Sequence, residues 1–220
     1  YNTNIPATGC TSPLWSLLLT IPYYLAGSES VDSLVILVIF MGALIHILSV
    51  VIATELAFSL SNDNVTAIVA GALLSLATPY CLALFSGMEV TLTAMLLLLT
   101  VDQTIRKNWL SVGLCMALSC LARPESALVS LVLGLYILFD NIYSNRSDRK
   151  DVFPILIKIG MPCILVALIY VGYNLWASSL PLPSTFYVKN SDGFDQLPDR
   201  VSIVINKSLI QIPPFVSPAV

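Results

Sequence analysis

The chain has 220 residues, of which 57% are hydrophobic and only 10% charged, with a formal net charge of −3. Soluble domains carry charged side chains at about a quarter of their positions, so this composition excludes an ordinary soluble protein and indicates a polytopic membrane protein. The sequence has thirteen acidic and ten basic residues, and the basic residues form no block, so we expect no nucleic-acid partner.

The two ends of the sequence indicate a piece of a longer protein. Tyr1 is neither an initiator methionine nor the start of a basic segment followed by an apolar core, so no signal peptide is predicted. The last residues, up to Val220, carry no cap and no charged tail. The five cysteines form no C-x-x-C pair and have no histidines at metal spacing, so we predict no metal site.

Segment length separates the predicted helices, because a membrane span needs about 20 apolar residues. The run 14–26 is too short to cross and carries Trp15, Tyr23 and Tyr24, which favour the headgroup level. It is predicted to be a juxtamembrane helix. The run 33–53 is the clearest span. It is interrupted only by His46, which we expect to be a packed, hydrogen-bonded histidine in the cytoplasmic half of the span.

The later runs complete an all-α fold: a polytopic transmembrane helical bundle of about six membrane helices plus the juxtamembrane helix. Thr78-Pro79-Tyr80 is predicted to bend or stop the run 65–85. The predicted organisation has five parts. They are the end of a first external loop (1–13), the juxtamembrane helix (14–26), a transmembrane module (33–176), an external loop (177–200) and the start of a truncated following segment (201–220).

Lys and Arg in short loops indicate the cytoplasmic side. The segments 102–108 and 140–151 hold five such residues, Arg106, Lys107, Arg146, Arg149 and Lys150. Counting helices outward from these two segments puts four segments on the external face of a cytoplasmic membrane, namely 27–32, 86–89, 123–125 and 177–200. This parity requires that 14–26 does not cross.

Arg123-Pro124-Glu125 is a charged break between two apolar runs, 109–122 and 126–139. A charge inside a membrane helix costs about 2.5–3.5 kcal/mol on insertion scales, and such residues tend to be functional. Arg123 and Glu125 are therefore candidate site residues.

Four stretches predicted to be external resemble motifs of bacterial polytopic glycosyltransferases with the GT-C fold, and most closely the terminal arabinofuranosyltransferase-like group. In this sequence they read Gly9-Cys-Thr-Ser-Pro-Leu-Trp15, Ser86-Gly-Met-Glu89, Ala122-Arg-Pro-Glu125 and Leu180-Pro-Leu-Pro-Ser-Thr-Phe-Tyr-Val-Lys189. The resemblance covers nearly the whole chain. Cys10, Val90 and Ser184 depart from it, standing where an aromatic residue, Thr and Asn are usual.

The resemblance implies transfer of a sugar from a polyprenyl-phosphate donor to a glycan, lipid or protein acceptor on the external face. A carboxylate would take the acceptor proton, and the resemblance puts this acid in a loop before Tyr1, so no catalytic residue is expected in this chain. Arg123 is the first candidate for the donor phosphate, because a guanidinium binds phosphate with two parallel hydrogen bonds. Lys189 is the second.

The remaining candidates have milder expected roles. Glu89 and Glu125 would accept hydrogen bonds from sugar hydroxyls or orient Arg123. Thr11 and Ser12 lie in the first stretch, where capping of the juxtamembrane helix is an alternative role. Each of these charged residues also has a structural alternative. Arg123 and Glu125 would form an ion pair or a helix cap, Glu89 would be a first-turn acid, and Lys189 would be a solvated loop residue.

Two other functional classes remain open at this stage. A transporter or flippase of lipid-linked or small substrates would place charges toward both faces and show an inverted repeat, neither of which is visible in the sequence. A non-catalytic membrane scaffold would keep the fold without the catalytic acids. The sugar, the acceptor and any dependence on a metal leave no readable signal.

Overall fold

The computed structural model describes residues 12–26, 31–144, 152–179 and 181. These residues form eight α-helices and no strand, which confirms the all-α prediction for this part of the chain. The helices are α1 Pro13–Ala26, α2 Val31–Ser61, α3 Asn64–Leu76, α4 Thr78–Phe85, α5 Val90–Ile105, α6 Trp109–Ala122, α7 Ser126–Ser144 and α8 Val152–Ser178.

Two helices are long and apolar enough to cross a membrane. Val31–Ser61 in α2 has 31 residues, and Val152–Ala177 in α8 has 26. At 1.5 Å per residue they extend about 46 and 39 Å, more than the roughly 30 Å of a bilayer core. Five further helices are apolar but shorter, so the six-span bundle stays a prediction.

The chain divides into two compact units, the first of which comprises Cys10–Gly172. The described residues 173–179 and 181 belong to the second unit. There the rings of Tyr173 and Trp176, in the last turns of α8, lie 6.4 Å apart. The helix packing and the candidate site described below lie within the first unit.

In the first unit α2, α5 and α6 form the centre: α5 packs against α2 and α6, while α1 packs against both α2 and α6. One core cluster joins these four helices through the buried residues Trp15, Ile45, Leu92, Leu96 and Ala122. A second cluster lies between α6 and α7, with side chains of α8 packed against it, and contains Val112, Met116 and Ile137.

A tight turn makes α2 and α3 a helical hairpin. Asn62 adopts a left-handed conformation, with φ of 52°, and its amide donates to the carbonyl of Phe58. The carboxylate of Asp63 then caps α3 by accepting the amides of Val65 and Thr66 at 3.3 and 2.9 Å. These two residues end one helix and start the next.

The predicted break in the run 65–85 is present at Ala77, where the backbone is extended between α3 and α4. Pro79 has no amide hydrogen and cannot bond to the carbonyl of Ser75 one turn earlier. The thiol of Cys81 donates to that carbonyl instead, at 3.1 Å. This side-chain hydrogen bond partly replaces the backbone hydrogen bond that is lost at the break.

Candidate functional site

Arg123 and Glu89 form an ion pair between two loops. Nε of Arg123 lies 3.2 Å from Oε1 of Glu89 and 3.7 Å from Oε2 of Glu125. The Glu89 side chain is 17% exposed and that of Glu125 79%. Arg123 is therefore paired more closely with the sheltered carboxylate of another loop than with the exposed carboxylate two residues away.

Arg123 is held at the junction of α6 and α7. It ends α6, and its amide donates to the carbonyl of Ser119 at 2.9 Å. Its own carbonyl accepts both the amide of Ser126, at 3.1 Å, and the hydroxyl of Ser126, at 2.7 Å. Pro124 and Glu125 form the turn that leads into α7. Both expected structural roles of Arg123, helix end and ion pair, are present together.

Glu89 directly precedes α5, at the end of the turn that follows α4. Gly87 in this turn has a φ of 64°, which favours glycine. The carbonyl of Glu89 accepts the amide and the hydroxyl of Thr93, both at 3.0 Å. The carboxylate of Glu89 makes no cap bond to the helix, which leaves it directed to the pair with Arg123.

Trp15 connects the first stretch to the same loop. Its indole Nε1 donates to the carbonyl of Gly87 at 2.9 Å, and its ring is buried in the first core cluster. Ser12 lies at the start of α1, where its carbonyl accepts the amide of Ser16 at 3.1 Å. Three of the four stretches thus meet. Thr11 and Lys189 lie outside the described residues.

A polar cluster that we did not predict lies next to this loop. The hydroxyl of Tyr80 donates to Oγ of Ser49 at 2.7 Å and is 3.3 Å from the carbonyl oxygen of Thr91. The ring of Tyr80 packs on that of His46, with centroids 4.7 Å apart. The expectation of packing at His46 is confirmed. However, Nδ1 of His46 is buried without a hydrogen-bond partner among the described residues, as is Oγ1 of Thr91.

The expected separation between His46 and the predicted external stretches needs correction. We expected this histidine in the cytoplasmic half of its helix, far from the external stretches. It instead packs on Tyr80 of α4, the helix that leads directly into the loop 86–89. A signal for the cluster was present in the sequence, since Tyr80 follows the helix-breaking Pro79 and Ser49 lies about one helical turn after His46.

A second set of charges lies at the opposite end of α5. Nε of Arg106 donates to both carboxylate oxygens of Asp102 at 2.9 Å, and Glu55 of α2 lies 3.9 Å from the guanidinium. The hydrogen bond to Asp102, and then the negative charge of Asp102, raise the pKa of Arg106 above its ordinary value. Among the described residues, no three His, Cys, Asp or Glu side chains are grouped so that they could hold a metal ion.

The ion pair limits the chemistry available at the candidate site. Arg123, Glu89 and Glu125 together carry a formal charge of −1, so the guanidinium is not an isolated cation. The Glu89 carboxylate fixes the orientation of Arg123, while the exposed carboxylate of Glu125 can accept hydrogen bonds. The guanidinium of Arg123 can donate to an anionic group of a ligand, and the carboxylate of Glu125 can accept from hydroxyl donors.

Comparison with known proteins gave no match, whether to a family model, to a curated protein or to a solved structure.

Proposed function

We propose that this chain is part of a membrane glycosyltransferase that moves a sugar from a polyprenyl-phosphate donor to an acceptor hydroxyl on a cell-envelope glycan, lipid or protein. The observation that carries the proposal is the ion pair between Arg123 and Glu89. It joins two of the four stretches that resemble glycosyltransferase motifs, and the bond from Trp15 to Gly87 adds the third.

The proposal includes about six membrane helices, the juxtamembrane helix 14–26 and a site on the external face of the cytoplasmic membrane. Two helices of membrane length support this arrangement. Large apolar side chains also lie on the outside of several shorter helices, such as Leu73, Leu131 and Leu135. The basic pair Arg106 and Lys107 follows α5, at the opposite end from Glu89, in agreement with the positive-inside rule.

In this mechanism Arg123 binds the phosphate of the donor and stabilises its charge as the glycosidic bond breaks. Glu89 holds the guanidinium in place, and Glu125 accepts hydrogen bonds from the sugar hydroxyls. No residue of this chain is assigned as the base that takes the acceptor proton.

The test uses membranes that contain the full-length protein and a panel of radiolabelled polyprenyl-phosphate pentoses and hexoses. The wild type is expected to transfer one of these sugars to a membrane acceptor. Arg123→Ala should reduce transfer at least about 100-fold, the effect typical of losing one group that stabilises transition-state charge. Glu89→Gln should reduce it by about tenfold, since the guanidinium remains but loses its orienting partner.

Arg106→Ala is the matched control. It also removes an arginine that is paired with carboxylates, but at the other end of α5. It should retain wild-type transfer, and all three variants should insert into the membrane at wild-type levels. Full transfer by both Arg123→Ala and Glu89→Gln would refute the site. Absence of transfer by the wild type from every donor in the panel would refute the function.

A further inference from the structure

The short helix α4 is weakly held in the first unit. It has eight residues, and it lies between the break at Ala77 and the loop 86–89. Of its side chains whose exposure is described, only Tyr80 is buried, while Leu82 and Phe85 are about two-thirds exposed. An eight-residue helix is marginal by itself. Its position therefore depends on the contacts of Tyr80.

Tyr80 connects the two helices on either side of the loop 86–89. Tyr80 itself lies in the helix before the loop, and its hydroxyl is 3.3 Å from the carbonyl oxygen of Thr91, in the first turn after the loop. The same hydroxyl donates to Ser49, whose own hydroxyl donates to the carbonyl of Ile45. One side chain thus ties α4 and α5 to the long helix α2.

We propose that Tyr80 is a positioning residue for the pair Glu89–Arg123. By fixing both sides of the loop to α2, its hydroxyl sets where Gly87 and Glu89 lie, and so where Glu89 meets the guanidinium of Arg123. The packing of His46 on the Tyr80 ring holds the hydroxyl in place. The role in sugar transfer rests on the function proposed above, while the role in placing the loop does not.

Trp15 provides a spectroscopic reporter of the loop, because its indole N–H donates to Gly87. In the full-length protein in detergent, Trp109→Phe and Trp176→Phe leave Trp15 as the one tryptophan of this chain. Tryptophans elsewhere in the full-length protein would be replaced in the same way. The indole signal of Trp15 is then followed by ¹H–¹⁵N NMR. Amide exchange of residues 78–86 is followed by mass spectrometry, since the amides of Tyr80, Cys81 and Ser86 are hydrogen-bonded within or at the end of α4.

Tyr80→Phe keeps the ring and removes only the hydroxyl. It should speed exchange in 78–86 by about tenfold, as expected for local opening after loss of one buried hydrogen bond. The Trp15 indole signal should move toward that of an unbonded indole. Ser49→Ala removes the acceptor of the same hydroxyl and should act in the same direction, which gives a second variant if Tyr80→Phe does not fold.

Val112→Ala separates placement of the loop from general stability. Val112 is fully buried in the second core cluster, so this change lowers the melting temperature without touching the loop. It should leave the indole signal and the exchange of 78–86 as in the wild type. The inference is overturned if Tyr80→Phe and Ser49→Ala leave both readouts unchanged, or if Val112→Ala shifts them equally.

The sugar-transfer assay keeps the two proposals distinct. If the loop responds to Tyr80→Phe and the wild type transfers no sugar, the proposed function fails and the placement of the loop by Tyr80 stands. If the wild type transfers sugar, Tyr80→Phe should lower transfer, and Val112→Ala should not at a temperature where both are folded. Normal transfer by Tyr80→Phe would remove its role in positioning the pair.

Discussion

The indole of Trp15 donates a hydrogen bond of 2.9 Å to the carbonyl of Gly87, across 72 residues of sequence. Trp15 is 4% exposed and belongs to the core cluster that joins α1, α2, α5 and α6. The side chain that anchors α1 in the core therefore also fixes the loop that carries Glu89. Core packing and the geometry of the candidate site depend on the same residue.

Trp15→Phe should lower the free energy of unfolding by about 1–2 kcal/mol, because it removes one hydrogen bond and part of a buried ring. Thermal unfolding in detergent measures the change. Trp176→Phe is the control, since that side chain is 84% exposed and its replacement should change stability by less than about 0.5 kcal/mol. Equal effects of the two variants would argue against the anchoring role of Trp15.

Gly113 permits a close approach of α6 and α8. A Cβ atom at this position would lie 2.8 Å from Cα and 2.9 Å from the carbonyl carbon of Ile159, distances that require the backbones to separate. Gly113→Ala should therefore destabilise the protein by about 1–3 kcal/mol, measured as a fall in the apparent melting temperature.

Gly134 in α7 is the matched control for Gly113, because a Cβ placed there would meet no atom of the described residues within 4 Å beyond its adjacent residues and its own helix backbone. Gly134→Ala should be neutral or stabilising by up to about 1 kcal/mol, since alanine favours the helix. A similar loss of stability in both variants would show that the effect comes from the helix backbone and not from the contact between α6 and α8.

The sequence predicted the features that depend on local chemistry. The break near Pro79 follows from its missing amide hydrogen, and the junction at Arg123 follows from a charged turn between apolar runs. Because successive helices run in opposite directions, the sequence correctly predicted that Glu89 before α5 and Arg123 after α6 lie at the same end of this helix pair. The sequence offered both Glu89 and Glu125 as residues that could orient Arg123, and packing of α5 against α6 brings Glu89 closer.

Features that depend on packing between helices could not be derived in this way. The contact of His46 with Tyr80 requires the rotation of α2 and α4 about their axes, and the uniformly apolar sequence does not specify that rotation. Helix length presents the same difficulty. A run of fourteen mostly apolar residues, such as α6, is compatible with either a short membrane helix or a core helix, so the number of membrane spans stays a prediction.

Thr91 has a buried hydroxyl with no hydrogen-bond partner in the part of the chain that the structure describes. Burying an unpaired polar group costs about 1–3 kcal/mol on protein mutational scales, so Thr91→Val should raise the free energy of unfolding by about 1 kcal/mol. Thr100→Val is the control: its buried hydroxyl donates to the carbonyl of Leu96 at 2.7 Å, and its loss should destabilise. A loss of stability in Thr91→Val would instead indicate that the hydroxyl binds water.

Asp63 should make stability depend on pH at the turn between α2 and α3. Its carboxylate accepts the hydroxyl of Thr66 at 2.7 Å and the amides of Thr66 and Val65, and these bonds, led by the Thr66 hydroxyl, hold its pKa below the ordinary value. A depressed folded-state pKa gives stabilisation that is present above the unfolded pKa of about 3.9 and is lost as pH falls through the folded value.

Asp63→Asn removes the titrating carboxylate. The wild type should therefore have the higher melting temperature near pH 6, and the difference in melting temperature should narrow as the pH falls below about 4. Melting temperatures measured from pH 6 to pH 3 test this. Asp140→Asn is the matched control, because Asp140 is exposed near the end of α7 and its side chain makes no hydrogen bond or ion pair among the described residues. At pH 6 the loss of melting temperature should be larger for Asp63→Asn than for this control. A constant difference for Asp63→Asn would show that the cap does not depend on the ionised carboxylate.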